Sequence, residues 1–400
     1  MLPHIAVIGG GPAGLFTAIN VSHKAQVTLY EKKSKLGRKL MITGSGQCNI
    51  THDEEPREML LNYRGNSRFL RNALYHYTSS DLMQFFRSRG VELTITKEGK
   101  VFPQSLKAGE ILSCLEKECL KSKVQVLNNQ KVQGISHIED KFEVKTNNVT
   151  RIYDYVVIAT GGMSYPATGS EGDGYGLAKS LGHKIISPKP ALVDVHIQDF
   201  PLNDCSGLSF RSLRLGHWRE GKKVNSYVGD LLITHVGFSG PVILNNSRFM
   251  NKHDVLIPDF TGYGDEFVVM IVEALRNHPN KSILNLLKTF DLPQHFVEIV
   301  LKLHGINQDL QSANVSKENR KMIINAFLNT KYTIARTGGW KKAMVTAGGV
   351  DLKEINPKTM ESRISPGLYF AGEVMDIDGD TGGYNLQAAF SSAYTISQAL

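Results

Sequence analysis

The strongest constraint on the fold lies in the first fourteen residues. A short apolar run, Ile5-Ala-Val-Ile8, ends in Gly9-Gly10-Gly11-Pro12-Ala13-Gly14, and Leu15-Phe-Thr-Ala-Ile carries on with helical spacing. Strand, Gly-x-Gly-x-x-Gly turn and helix in that order form the element that seats a dinucleotide pyrophosphate. Gly9 serves the tight turn, Gly11 lets backbone approach the phosphates, and Gly14 lets the helix close on the sheet; Pro12 and Ala13 fall in the first helical turn. The unpaired N–H groups of that turn favour an anion. A second apolar run, Val27-Thr-Leu-Tyr, ends in Glu31, seventeen positions beyond Gly14, near the spacing of about 20 at which an acid holds an adenosine ribose. The acid predicts an unphosphorylated ribose, as in FAD or NAD, without choosing between them.

Four hundred residues, 41% hydrophobic and 21% charged, describe an ordinary globular protein of two or three domains rather than a disordered one. The chain enters its first core strand too early for a signal peptide, and no apolar run reaches the length of a membrane span. A cytoplasmic protein with no membrane contact is expected. The four cysteines, Cys48, Cys114, Cys119 and Cys205, make neither a disulfide framework nor a zinc spacing, so no metal is expected. Cys114 and Cys119 have the spacing of a redox pair, yet they lie on an amphipathic helix at about 107–122 and read as core. The net charge of +8 and pI near 9.1 leave a polyanionic partner open.

Beyond Glu31, Lys32 opens a loop that continues through Gly37-Arg38-Lys39 to Thr43-Gly44-Ser-Gly46-Gln-Cys48-Asn49-Ile-Thr51. Small residues, hydroxyls and cations after the ribose strand predict a cofactor loop, with Arg38 and Lys39 near phosphates and Thr43 to Asn49 near the ring. Residues 91–102 read as a hairpin, and three runs at 124–128, 131–138 and 141–146 as an antiparallel excursion from the parallel sheet. Val132, in the second run, is counted among the cofactor positions. Tyr155-Val-Val-Ile-Ala-Thr160-Gly161-Gly162 returns to the sheet. No later stretch repeats strand, fingerprint and helix, so a nicotinamide cofactor is expected to dock only transiently.

From about 190 short alternating strands predict a small barrel-like β-domain, ending at Thr234-His235-Val-Gly-Phe-Ser-Gly-Pro241. Amphipathic helices follow at 266–277, 282–290, 293–304 and 316–329, with Arg276, Lys281, Lys288, Lys302, Lys317, Arg320 and Lys321 on their polar faces. The chain closes with Leu368-Tyr-Phe-Ala-Gly372-Glu373, then Gly382-Gly383-Tyr384-Asn385 opening a last helix. That arrangement is the second half of an FAD site: Glu373 toward the ribityl hydroxyls and the helix N-terminus toward the flavin pyrimidine, where its dipole stabilises charge in the reduced state.

Taken together these stretches resemble the bacterial flavoproteins known as NAD(FAD)-utilising dehydrogenases or the aminoacetone-oxidase-like family. The matching residues are Gly9 to Gly14, Gly37 to Lys39 with Gly44 to Thr51, Thr160 to Pro166 with Gly172 to Gly174, Thr234 to Pro241, and Gly372 through Asn385, spanning nearly the whole chain. The chain departs at Gln47, where members usually carry arginine. The resemblance implies an α/β fold: a two-dinucleotide-fold, Rossmann-like FAD domain (1–190 and 331–400) with an inserted β-barrel-like domain (191–262) and a small helical domain (263–330). It also implies an FAD-dependent oxidoreductase that takes electrons from NADH or NADPH. One member of the family is a bile-acid reductase and another a dihydrouridine synthase acting on large-subunit ribosomal RNA; both reduce a C=C bond conjugated to a carbonyl. With the basic charge, the expectation is a reductase of uridine in ribosomal RNA, the cationic helical insert tracking phosphates. A small-molecule oxidoreductase, whether enone reductase or amine oxidase, and a non-enzymatic RNA-binding flavoprotein are the alternatives. Cys48 is the first candidate for the general acid and His235 the second.

Overall fold

The computed structural model describes residues 2–400. It contains two compact units, one built from residues up to Ala191 and from Gly339 onward, the other from Leu192 to Gly338.

The first unit is organised on a five-stranded sheet in the order Leu368–Phe370, Tyr155–Ile158, His4–Ile8, Gln26–Tyr30, Gln125–Leu127, with every neighbouring pair parallel. A parallel sheet covered on both faces needs apolar side chains on both, which is why these strands read as unbroken apolar runs rather than alternations. Ile5, Val7, Leu29, Val156, Val157, Ile158, Leu368 and Phe370 are all fully or almost fully buried. The run at 124–128 belongs to this sheet as its edge strand and not to the antiparallel excursion, which comprises Val132–Ile138, Lys141–Thr146 and Thr150–Tyr153. Three residues are too few to display a period, so the sequence could not separate the two. The hairpin consists of Leu93–Ile95 and Lys100–Pro103, and Thr51–His52 adds a third strand beside it.

The first and last helices, Pro12–Val21 and Tyr384–Ala399, pack together over this sheet. Phe16 meets Phe390 edge-on with ring centroids 5.1 Å apart, and Phe85 lies 4.9 Å from Phe16. Small residues on the closing helix, Ala388, Ala389, Ser392 and Ala393, allow the approach, and Ser392 Oγ accepts the N–H of Gly372 at 3.0 Å. The two ends of the chain thereby meet beneath the glycine turn.

The second unit is a closed six-stranded barrel in the order Val195–Ile197, Gly237–Ser239, Lys222–Ile233, Ser209–Arg219, Val255–Asp259, Tyr332–Thr337. Tyr332–Thr337 pairs with both Val195–Ile197 and Val255–Asp259, so the chain leaves this unit at Gly338 and not at 331. The strand that seals the barrel follows the helices in sequence, and only pairing assigns it. The helices Glu266–Asn277, Ile283–Leu287, Gln294–Leu303 and Lys317–Leu328 share one hydrophobic core with the barrel. Phe296 packs 4.9 Å from Phe210 and 4.8 Å from Phe260, so barrel and helices form a single unit. Inside the barrel wall, Asp254 accepts hydrogen bonds from Arg219 Nε and Nη2, each 2.8 Å, and lies 2.8 Å from His217 Nε2. No helix among the described residues is long and apolar enough to cross a membrane.

Candidate functional site

The glycine turn is shaped by three different requirements. Gly9 has φ +114°, its N–H donates to Tyr30 O at 2.8 Å, and a Cβ there would lie 2.4 Å from Ala159 O. A Cβ on Gly14 would lie 1.9 Å from Gly9 O. These two glycines let backbone pack against backbone. A Cβ on Gly11, by contrast, would meet nothing within 4 Å. Gly11 faces open space at the N-terminus of the Pro12–Val21 helix, whose first N–H groups have no partner inside the helix. An anion of phosphate size fits there.

Glu31 stands at the end of the neighbouring strand. Its carboxylate accepts the Gly10 N–H at 2.9 Å and the Lys33 N–H at 2.7 Å, which fixes its orientation and leaves lone pairs for ribose hydroxyls. Lys32, counted among the cofactor positions, pairs its ammonium with Glu171 at 2.8 Å and with Asp173, which also meets Lys131 at 2.8 Å. The hydrogen bond from Lys32 holds the Glu171 carboxyl below its usual range. Val132 is buried where the next strand begins.

Lys39 and Glu373, expected at phosphates and at the ribityl chain, meet each other. Lys39 Nζ lies 2.6 Å from Glu373 Oε2 and also binds Ser164 Oγ. Glu373 Oε1 accepts the Thr346 N–H at 2.8 Å and Ser164 Oγ at 3.1 Å, and Thr346 Oγ1 accepts the Met163 N–H at 2.8 Å. One carboxylate thus ties together the loop after the ribose strand, the loop after Tyr155–Ile158 and the strand Val345–Val350. Neither Ser164 nor Thr346 was singled out from the sequence, because their role depends on three segments far apart in the chain. Arg38 is exposed.

The loop from Thr43 to Asn49 takes left-handed backbone at Gly44, Ser45, Gly46 and Cys48. The Asn49 Oδ1 atom is buried without a hydrogen-bond partner, and so is Thr160 Oγ1, next to Gly161 and Gly162. Buried polar atoms are rarely left unpaired; Thr160 adjoins the Gly9 turn, and its free acceptor, with that of Asn49, fits a polar cofactor. Gly372, with φ +72°, brings its turn against Ala13, where a Cβ would lie 3.0 Å from that residue's own. Gly382 and Gly383 are also left-handed, and a Cβ on Gly383 would lie 2.5 Å from the Thr51 carbonyl. Tyr384 and Asn385 turn their side chains inward: Asn385 exchanges hydrogen bonds with Gly379 at 2.8 and 3.0 Å. At this helix end it is therefore backbone N–H groups that remain for a ligand.

Cys48, first candidate for the general acid, is fully buried, and burial pushes its thiol up to about 12. His235 is exposed, in a turn of the second unit closed by the Thr234 N–H donating to Gly237 O at 2.9 Å. All four cysteines are free and buried. Native protein treated with a thiol-reactive disulfide reagent at neutral pH is therefore expected to release no chromophore on the timescale in which denatured protein releases four equivalents. Rapid modification of one thiol in the folded state would contradict that packing.

Comparison with known proteins gives the family. The model of the HI0933-like protein Rossmann domain matches residues 3–399. The 3-dehydro-bile acid delta(4,6)-reductase of Clostridium scindens is 30% identical over 99% of this chain and 98% of its own length. Ribosomal RNA dihydrouridine synthase of Haemophilus influenzae is 32% identical over 97% of this chain and 96% of its own. Among solved structures, a 3-ketosteroid-delta4-(5alpha)-dehydrogenase from Rhodococcus jostii shares the fold with a TM-score of 0.52 at 15% identity, covering 99% of this chain and 96% of the other. On the family match over nearly its whole length, with a site that fits a bound dinucleotide, the chain belongs to the HI0933-like family of FAD-binding Rossmann flavoproteins and is an FAD-dependent oxidoreductase.

Proposed function

We propose that this chain draws electrons from NADH or NADPH and saturates an activated C=C bond, with uridine in large-subunit ribosomal RNA as substrate in a cytoplasmic setting. The observation that carries the reading is the end-to-end match to relatives whose names denote saturation of such a bond, two of them ribosomal RNA dihydrouridine synthases from Haemophilus influenzae and Escherichia coli. The net charge of +8 suits a polyanionic partner. The helical segment, however, is not the cationic face expected of it. Its seven cations are matched by Asp265, Glu266, Glu273, Asp291, Glu298, Asp309 and Glu318. The first unit carries most of the surplus, with 30 Lys and Arg against 24 Asp and Glu, and phosphate contact is assigned to that unit.

Bound FAD supplies the two-electron relay between nicotinamide and the double bond. The chain's own residues do the rest. Gly11 and the opening helix would hold the pyrophosphate, Glu31 the ribose, and the N–H groups at the start of the closing helix the pyrimidine edge, with Asn49 Oδ1 and Thr160 Oγ1 open to a donor. Saturating the bond also requires a proton at the neighbouring carbon. Of the two sequence candidates the Cys48 thiol is sealed from any substrate, which leaves the exposed His235 as the proposed donor.

Anaerobic reduction of the purified yellow protein by NADH or NADPH, followed by reoxidation with a ribosomal RNA hairpin, tests the assignment. Reoxidation by the hairpin, together with loss of dihydrouridine from the ribosomal RNA of a deletion strain, is the expected result. Reoxidation by a steroid enone alone, or unchanged dihydrouridine, would overturn the RNA substrate. His235→Gln is expected to retain flavin and its reduction while losing at least about 100-fold in turnover, the scale of general-acid catalysis; Cys48→Ala is expected to retain all three.

A further inference from the structure

The strand on which the closing helix begins carries a histidine that the reading above does not use. Thr51 lies against Gly383, the N-cap of that helix, and His52 follows it. His52 is 9% exposed. Its ring lies flat on that of Tyr384, the first helical residue, with centroids 5.2 Å apart and planes at 13°. Both ring nitrogens face oxygen: Nδ1 is 3.1 Å from Gly382 O, and Nε2 is 3.2 Å from Glu54 Oε1. A carbonyl oxygen only accepts, so Nδ1 carries a proton. The Tyr384 hydroxyl donates to Glu54, 3.2 and 3.3 Å from its two oxygens, and burial pushes that phenol's pKa up, keeping it protonated. With Glu54 ionised, its carboxylate accepts at Nε2 as well. A ring that donates from both nitrogens is an imidazolium.

The other charged or titratable groups on the elements around it are few. Asp53 is exposed on the same segment, and Lys100 is the residue paired with His52 on the neighbouring strand. Asp380, on the loop before the helix, is held by Arg64 at 2.7 Å, and the Tyr63 hydroxyl donates to Tyr384 O at 2.7 Å. Glu54 contacts the ring nitrogen remote from Gly382, and its side chain is 24% exposed against 11% for His52. Solvent therefore screens the anion more than the cation.

We propose that His52, an imidazolium clamped between Gly382 and Glu54, is a positioning residue that adds a fixed positive charge behind the N-terminus of the closing helix and favours the anionic reduced state of the flavin. The proposal rests on the FAD-dependent reading and on the placement of the flavin pyrimidine at this helix. Uptake of two electrons with one proton leaves one added negative charge there, and uptake with two protons leaves none. The helix end alone supplies roughly half a positive charge, and a part-buried imidazolium adds to it in a medium less polarisable than water.

The test is the flavin midpoint potential as a function of pH, measured on the holoprotein by dithionite titration with mediator dyes. Neither NADH nor RNA is needed, so failure here is separate from failure of the donor or substrate assignment. In the unaltered protein the potential near neutrality is expected to fall with pH as for one proton taken up with two electrons. In His52→Gln the potential is more negative, with flavin content unchanged. In Glu54→Gln it is more negative as well, because the second ring N–H has lost the carboxylate that holds it. His52→Gln protein with full flavin and an unaltered potential would overturn the proposal. If that variant does not retain flavin, Glu54→Gln decides: an unaltered potential overturns the proposal equally. Unaltered protein that binds no FAD would overturn both the proposal and the reading beneath it.

Discussion

Alanine at position 11 is expected to give a folded protein that purifies colourless. Its Cβ would touch no protein atom within 4 Å, and the backbone there, with φ −85° and ψ −178°, is open to any residue. Nothing in the fold opposes the substitution. The added carbon instead occupies the space in front of the helix N-terminus, where the pyrophosphate must come within contact of the main chain. A loss of affinity of about 100-fold or more, roughly 2.7 kcal/mol, with a melting temperature in the absence of FAD equal to that of the unaltered apoprotein, is the predicted signature. Gly14→Ala is expected to fail differently. Its Cβ would sit 1.9 Å from Gly9 O, so helix and turn must separate, costing at least about 1–3 kcal/mol in stability with or without FAD. Absorbance of bound flavin and thermal unfolding of the two apoproteins distinguish the cases. Full flavin occupancy in Gly11→Ala would remove the pyrophosphate from this turn.

Asp254→Asn is expected to destabilise the second unit by about 1–3 kcal/mol, the cost of leaving buried hydrogen-bond partners unsatisfied. Asp254 and His217 are almost completely buried, and the carboxylate serves His217, Arg219 and the Asn251 N–H together. Burial raises the carboxyl, but the hydrogen bonds from Arg219 and His217 outweigh it and bring the pKa down to about 2. A depressed pKa contributes stability that is present above the unfolded value of about 3.9 and is lost as pH falls through the folded value. The gap between the unaltered protein and Asp254→Asn in urea unfolding should therefore be constant near neutrality and narrow between about pH 4 and pH 2. A gap that stayed level across that window would show that the carboxylate's charge does not hold the network together.

Much of this protein was legible before folding. The order of strand, glycine turn, helix and acid placed a dinucleotide site, because each step has a local physical requirement that few residues meet: Gly9 and Gly14 for backbone contact, Gly11 for open approach, Glu31 at a strand end. The closing Gly382-Gly383 pair announced a helix N-terminus for the same reason. Those requirements act within a few residues, and a sequence displays them directly.

What the chain alone could not show depends on partners distant along it. Tyr332–Thr337 belongs to the barrel because its N–H and C=O groups find Val195–Ile197 and Val255–Asp259, and no local pattern records that choice. The cationic helices proved balanced once their acids were set beside their bases. Lys39, read as a phosphate ligand, meets Glu373 because folding brings together two loops over three hundred residues apart in the chain, and His52 meets Gly382 and Tyr384 across a similar separation. The sequence by itself determined the cofactor class and the strand–turn–helix that receives it, since those follow from backbone sterics. Only the tertiary structure decided which side chains pair with each other, because desolvation and pairing depend on what three-dimensional packing brings within a few ångströms.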